Sequence, residues 1–191
     1  PLAISLASGY LVDWTDLFLI KYFLGIEQAG IFQVAFRMFF YLSSFLTALT
    51  TVLFPIIMSA SAQKKEALIR DFYVRSFSSQ FVFVWGIMVS GFLFSAPYLI
   101  PLLFSKSYSG AVLPFQLLCL AATFQSIAYL YSPLLFTFVN LKKLAFVNVS
   151  TGLVKVLSDV ILIPLWGLNG AAVSTGITIG FSTFFYCVIV W

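Results

Sequence analysis

The chain has 191 residues, 62% of them hydrophobic and 8% charged, with a mean hydropathy of +1.08 and a net charge of +4. Soluble globular proteins carry about 25% charged residues, so this composition cannot cover a surface exposed to water. It excludes a soluble enzyme, a nucleic-acid binder and a disordered chain, and leaves an all-α integral membrane protein with at most about seven spans of about 20 residues.

In chain order the expected helices are Leu2–Leu24, Ile31–Met58, Phe72–Ala96, Ala111–Val139, Leu144–Ile163 and Ala171–Trp191, with breaks where charge, Pro and Gly cluster. The first carries Asp13 and Asp16 at i,i+3, on one face with Ser5 and Gly9. Lys21, near its end, is placed to snorkel toward the headgroups. The second follows a short connection, Gly25 to Gly30, and sets Gln33, Arg37, Tyr41, Ser44, Thr47 and Thr51 within about 120° of one another at about 100° per residue. Ser61 to Arg70 is the longest polar stretch, and its Glu66/Arg70 and Asp71/Arg75 pairs at i,i+4 point to a helix leaving the membrane. Pro97 and Pro101 are expected to break the third helix before the Lys106–Gly110 connection.

Asn140 to Lys143 separates the fourth and fifth helices, and the fifth carries a second polar stripe of Asn148, Thr151, Gly152, Lys155 and Asp159. Pro164 to Asn169 separates the fifth from the sixth, where Gly176 and Gly180 form a G-x-x-x-G spacing that suits close helix packing. One set of alternate loops holds Lys64, Lys65, Arg70, Arg75, Lys142 and Lys143, and the other keeps Lys106, with Lys21 nearby. The positive-inside rule then places the first set, and both ends of the chain, in the cytoplasm of a multi-pass cell-membrane protein. The chain starts and stops inside hydrophobic sequence, as an internal fragment of a longer protein would.

A charge at the centre of a span costs about 2.5–3.5 kcal/mol on insertion scales, so the three polar seams require a reason. One is a hydrated cavity lined by Arg37, Lys155, Asp159, Asp16, Asp13, Gln33, Tyr41 and Asn148. The other is structural: Lys155 and Asp159 neutralise each other at i,i+4, Asp13 or Asp16 pairs with Arg37 or Lys155 on a neighbouring helix, and the hydroxyls act as interhelical glue. There is no His, and no phosphate-binding glycine loop, metal cluster or nucleophile–base pair, so no catalytic residue, metal or cofactor is assigned. Cys119 and Cys187 lie in apolar runs as packed thiols.

Several stretches are recognisable as words. Asp16-Leu17-Phe18-Leu19-Ile20, Phe23-Leu24-Gly25 and Ala29-Gly30-Ile31-Phe32-Gln33-Val34-Ala35-Phe36-Arg37 resemble the opening of a six-helix lobe, more the second than the first, in polysaccharide exporters. These are the Wzx-like O-antigen and lipid-linked oligosaccharide flippases of the MATE/MOP superfamily. Phe54-Pro55 resembles that family's element at the end of the second helix, and Pro164 to Thr175 is similar to its P-x-x-G-x-x-G-A-A-x-x-T turn, whereas Leu103-Phe104-Ser105 lacks the Gly that relatives often carry. The resemblance implies a bundle of six transmembrane helices over 1–191, one lobe of a two-lobe transporter, with the substrate cavity between this lobe and a missing second one.

Under that resemblance the expected function is flipping of a polyprenyl-diphosphate-linked oligosaccharide by alternating access. Arg37 and Lys155 would attract the diphosphate or an acidic sugar, and the Ser, Thr, Gln and Asn side chains of the seams would meet sugar hydroxyls. The expected partners are the lipid-linked glycan, the bilayer and the other lobe. Two alternatives stand beside it: a drug/cation antiporter of the same superfamily, with Asp13, Asp16 or Asp159 as the coupling carboxylate, and a membrane-embedded glycan polymerase or ligase.

Overall fold

The computed structural model describes residues 14–63, 78–138 and 141–190, so Asp13, the Lys64–Arg75 cations and the expected start of the third helix lie outside the described residues. The described residues are all-helical and contain no strand. Helix α1 covers 14–24, α2 Ile26–Ala62, α3 Ser78–Phe104, α4 Val112–Phe138 and α5 Leu141–Val190, with a 3₁₀ helix at Lys106–Ala111 before α4. Four of them, α2 to α5, are long and apolar enough to cross a membrane.

The chain turns where backbone conformation forces it to. Gly25 at φ 93° separates α1 from α2, Ser105 at φ 91° ends α3, and Gly167 at φ 60° and ψ −136° bends α5. Prolines do not end helices here. Pro55, Pro97, Pro101, Pro133 and Pro164 all lie inside helices, as membrane helices tolerate when neighbours re-satisfy the freed carbonyls. The expected stop at Ala96 is therefore wrong by two turns, and α2 begins at Ile26, before the Gly30 that was expected to precede it.

The six separate helices expected from the sequence appear as five among the described residues, because Pro164–Asn169 is a kink inside α5 and not a loop. That kink is sharp. Lys155 Nζ lies 3.1 Å from Ser174 Oγ, and Tyr186 OH lies 2.8 Å from Asn148 Oδ1. Along a straight helix the first pair would stand about 28 Å apart, so the two legs of α5 fold back on each other as a hairpin.

Gly170 makes the hairpin possible: a β-carbon there would run into the backbone of Leu162 on the opposite leg. The G-x-x-x-G spacing is used at one end only: a β-carbon on Gly176 would lie 3.6 Å from Ala121 Cβ of α4, while one on Gly180 would meet nothing within 4 Å. Gly170→Ala should therefore destabilise the protein by about 1–3 kcal/mol through overpacking. Gly180→Ala should stay within about 0.5 kcal/mol of the parent. Denaturant titration of both in detergent checks the contrast, and equal effects would contradict it.

The bundle is apolar both inside and outside. Phe32, Ala35, Phe39, Leu42 and Leu46 of α2 recur at i,i+3,i+4 and are buried, with Trp85 of α3 and Phe115 and Leu118 of α4. Large apolar side chains such as Phe40, Phe94, Tyr98, Leu153 and Leu157 are exposed, which suits lipid. Polar side chains act as glue between helices. Ser43 donates to Gln125 Oε1 (2.7 Å), Trp85 Nε1 to Ala122 O (3.0 Å), and Gln116 Nε2 to Leu93 O (3.0 Å). The Gly25 turn, the 3₁₀ helix and the Gly167 kink gather at one end of the bundle: the β-carbon position of Gly110 is 3.5 Å from Ile31 Cγ2, and that of Gly167 is 3.9 Å from Leu24 Cδ1.

Candidate functional site

The sequence-derived site residues separate into two places. Lys155, Asp16 and Asp159 are buried inside the bundle, at 1%, 1% and 0% exposure. Lys155 Nζ, on the first leg of α5, donates to Asp16 Oδ1 of α1 and to Asp159 Oδ1 (2.8 Å) one turn along its own helix. It also lies 3.1 Å from Ser174 Oγ and 3.0 Å from Thr175 Oγ1 on the second leg. Ser174 Oγ donates in turn to Asp159 Oδ1, and Thr175 Oγ1 is 3.2 Å from Asp16 Oδ2. One ammonium thus joins α1 to both legs of the hairpin.

At 1.5 Å per residue the cluster sits about 12 Å from the Leu24 and Gly167 end, toward the middle of a hydrocarbon core about 30 Å thick. Ions buried there persist only when paired and hydrogen-bonded, and Ser174 and Thr175 provide that shell. It leaves one atom over: Asp159 Oδ2 has no hydrogen-bond partner. The three residues are enclosed within the bundle. Asn148, two turns before Lys155 on the stripe, is bonded to Tyr186 across the hairpin (2.8 Å).

The α2 seam faces the other way. Arg37, Tyr41, Ser44, Thr47 and Thr51 are exposed, on the side opposite the buried Phe32–Leu46 row. Arg37 sits in a pocket of about 330 Å³ walled by Trp14 and Leu17 of α1 and by Gln33, Phe36, Phe40 and Tyr41 of α2. It makes no ion pair among the described residues. Gln33 Oε1, in the same pocket, is buried without a hydrogen-bond partner. A guanidinium with no ion pair among the described residues, beside aromatic faces, suits a phosphate or another oxyanion. No group of three or more metal-ligating side chains occurs among the described residues.

A second cavity, of about 750 Å³, escaped the sequence reading except for Thr47 and Thr51. It opens between α2, α4 and the second leg of α5 and is lined by Gln125, Tyr129, Ser132, Ser182 and Tyr186 among others. The signal that would have found it is the spacing of Gln125, four residues from Tyr129 and seven from Ser132 on one face of α4.

A sequence model of the family described as "polysaccharide biosynthesis protein" matches residues 2–113, which include α1, α2 and α3 and so the whole Arg37 pocket. No curated protein and no solved structure matches the chain.

Proposed function

Because the chain belongs to the polysaccharide biosynthesis protein family, we propose that it is a lobe of a membrane transporter that carries a lipid-linked glycan across the bilayer. The observation that carries this reading is the exposed seam of α2, with an arginine that has no ion pair among the described residues set in an aromatic pocket. Facing lipid, such a seam would cost several kcal/mol. Facing a second lobe across a wet cleft, it would meet an anionic, hydroxyl-rich substrate such as a polyprenyl-diphosphate-linked oligosaccharide. The hairpin of α5 supports a six-span lobe, with the two legs as its fifth and sixth crossings. The alternate-loop lysines and arginines support cytoplasmic ends and an outward-facing Gly25–Gly167 end. In this mechanism the second lobe rocks against this one, and Arg37 is exposed first to one side and then to the other.

Antiport of a drug or cation is favoured by one specific observation: the buried cluster holds two carboxyl groups for one ammonium, with Asp159 Oδ2 unpartnered. A polymerase or ligase finds no comparable support.

Depletion in cells separates transport from synthesis. Under the transport reading, full-length lipid-linked repeat units accumulate when the protein is depleted, and they resist a membrane-impermeant glycosidase added from outside. Accumulated units that the external enzyme cleaves would instead place the block after translocation and overturn the reading.

A further inference from the structure

We infer that the cavity between α2, α4 and the second leg of α5 binds the uncharged sugar rings of the substrate, while the Arg37 pocket holds its anionic group. This rests on the transport reading above and divides the substrate between two sites on one lobe. At about 750 Å³ the cavity lies within the range of about 300–1,000 Å³ typical of small-ligand pockets, and no charged side chain lines it.

Its hydrogen-bonding character is one-sided. Thr51 donates its hydroxyl proton to Thr47 O (2.9 Å), Ser132 to Tyr129 O (2.9 Å) and Ser182 to Ile179 O (3.0 Å). Thr50 donates to Leu46 O (3.0 Å), and Tyr186 to Asn148 Oδ1 (2.8 Å). A hydroxyl has one proton and two lone pairs, so these five oxygens accept and no longer donate. Gln125 accepts from Ser43 (2.7 Å) through Oε1, which leaves its amide N–H groups as donors. A phosphate, which only accepts, is left the Gln125 amide and the Tyr129 hydroxyl as donors, with no cation beside them.

A sugar ring finds what it needs. Each of its hydroxyls brings a proton to donate, and its apolar face fits Phe54, Tyr129 and Ile179. Thr51 and Arg37 lie within about 40° of each other around α2 and about 21 Å apart along it. A glycan chain of several sugars spans that distance from an anchored diphosphate.

The test uses the full-length protein in detergent and two probes. One is phosphate-free oligosaccharide released by mild acid from the cells' own surface polysaccharide, and the other is inorganic pyrophosphate. The double variant Ser132→Ala/Ser182→Ala removes hydroxyls bonded only within their own helices, so the interhelical bonds remain. It should bind the oligosaccharide about tenfold more weakly, the equivalent of two lost hydrogen bonds, and pyrophosphate as tightly as the parent. Arg37→Gln should show the reverse. Unchanged oligosaccharide affinity in the double variant overturns the inference, and so does a tenfold loss of pyrophosphate binding, since one site would then take both groups. Displacement of the oligosaccharide by tetraethylammonium at lower concentration than by free sugar overturns it in favour of a cation site. In each of those cases the depletion experiment still reports separately on transport.

Discussion

Replacing Lys155 with Gln should collapse the protein. The ammonium is the shared partner of Asp16 and Asp159, and it binds α1 to both legs of α5. Without it two carboxylates face each other in a site at most 1% exposed. Removing one partner of a buried ion pair costs about 3–5 kcal/mol, a large share of the about 5–15 kcal/mol that keeps a domain folded. Membrane abundance should fall severely, and what remains should unfold at a much lower denaturant concentration. The triple change Lys155→Met, Asp16→Asn and Asp159→Asn should recover most of the loss, because neutralising a whole buried cluster is close to neutral where breaking half of it is not. Normal abundance and stability in Lys155→Gln would show that the cluster does not hold the hairpin to α1. A rescued triple variant that also exports glycan normally would remove Lys155, Asp16 and Asp159 from any role in transport.

Arg37→Gln should do the opposite. Its side chain is exposed and makes no ion pair among the described residues, so the fold gives up little when the charge is removed. Abundance should stay near that of the parent, since surface substitutions away from special features stay within about 0.5 kcal/mol. The lost charge-assisted contact with an anion is worth about 1.5–3 kcal/mol, so export should drop by about tenfold to a hundredfold. Arg37→Lys keeps the charge but loses the bidentate fork, and should fall between the two. Parallel loss of abundance and export in Arg37→Gln would make the arginine structural.

The contrast between these two cations shows how far the sequence could be read. Composition specified a membrane protein, because 8% charge cannot cover a surface in water, and apolar runs of about 20 residues specified helices. The i,i+4 spacing of Lys155 and Asp159, and a carboxylate on the first helix, were enough to suggest the pairing that the structure contains. What a single helix could not reveal was the direction each seam faces. In water the apolar side of a helix points inward, but in lipid both the core and the outside are apolar, so periodicity loses its sign. The Lys155 stripe turned out to face inward and the Arg37 stripe outward, though both look alike in sequence.

Helix ends were misjudged for a related reason. Pro97 and Pro101 break helices in water, whereas here α3 runs through both and stops at Ser105, whose positive φ no residue preference announces. The fold-back between the two legs of α5 follows from spans that alternate across the membrane, but their close approach does not, because the need for Gly170 depends on Leu162, eight residues earlier. The neutral cavity needed three helices to be assembled before its hydroxyls met.

The most direct test of the transport reading is movement of the substrate itself. Full-length protein is reconstituted into vesicles containing the cells' own polyprenyl-diphosphate-linked oligosaccharide, and the fraction of glycan open to an impermeant glycosidase outside is followed over time. With the parent protein, cleavage should pass the half of the glycan that starts in the outer leaflet and approach completion. With Arg37→Gln, reconstituted at equal amount, the second half should be cleaved about tenfold to a hundredfold more slowly. Cleavage that stops at the outer-leaflet half with the folded parent protein, or that proceeds equally with both proteins, would contradict transport through the Arg37 seam.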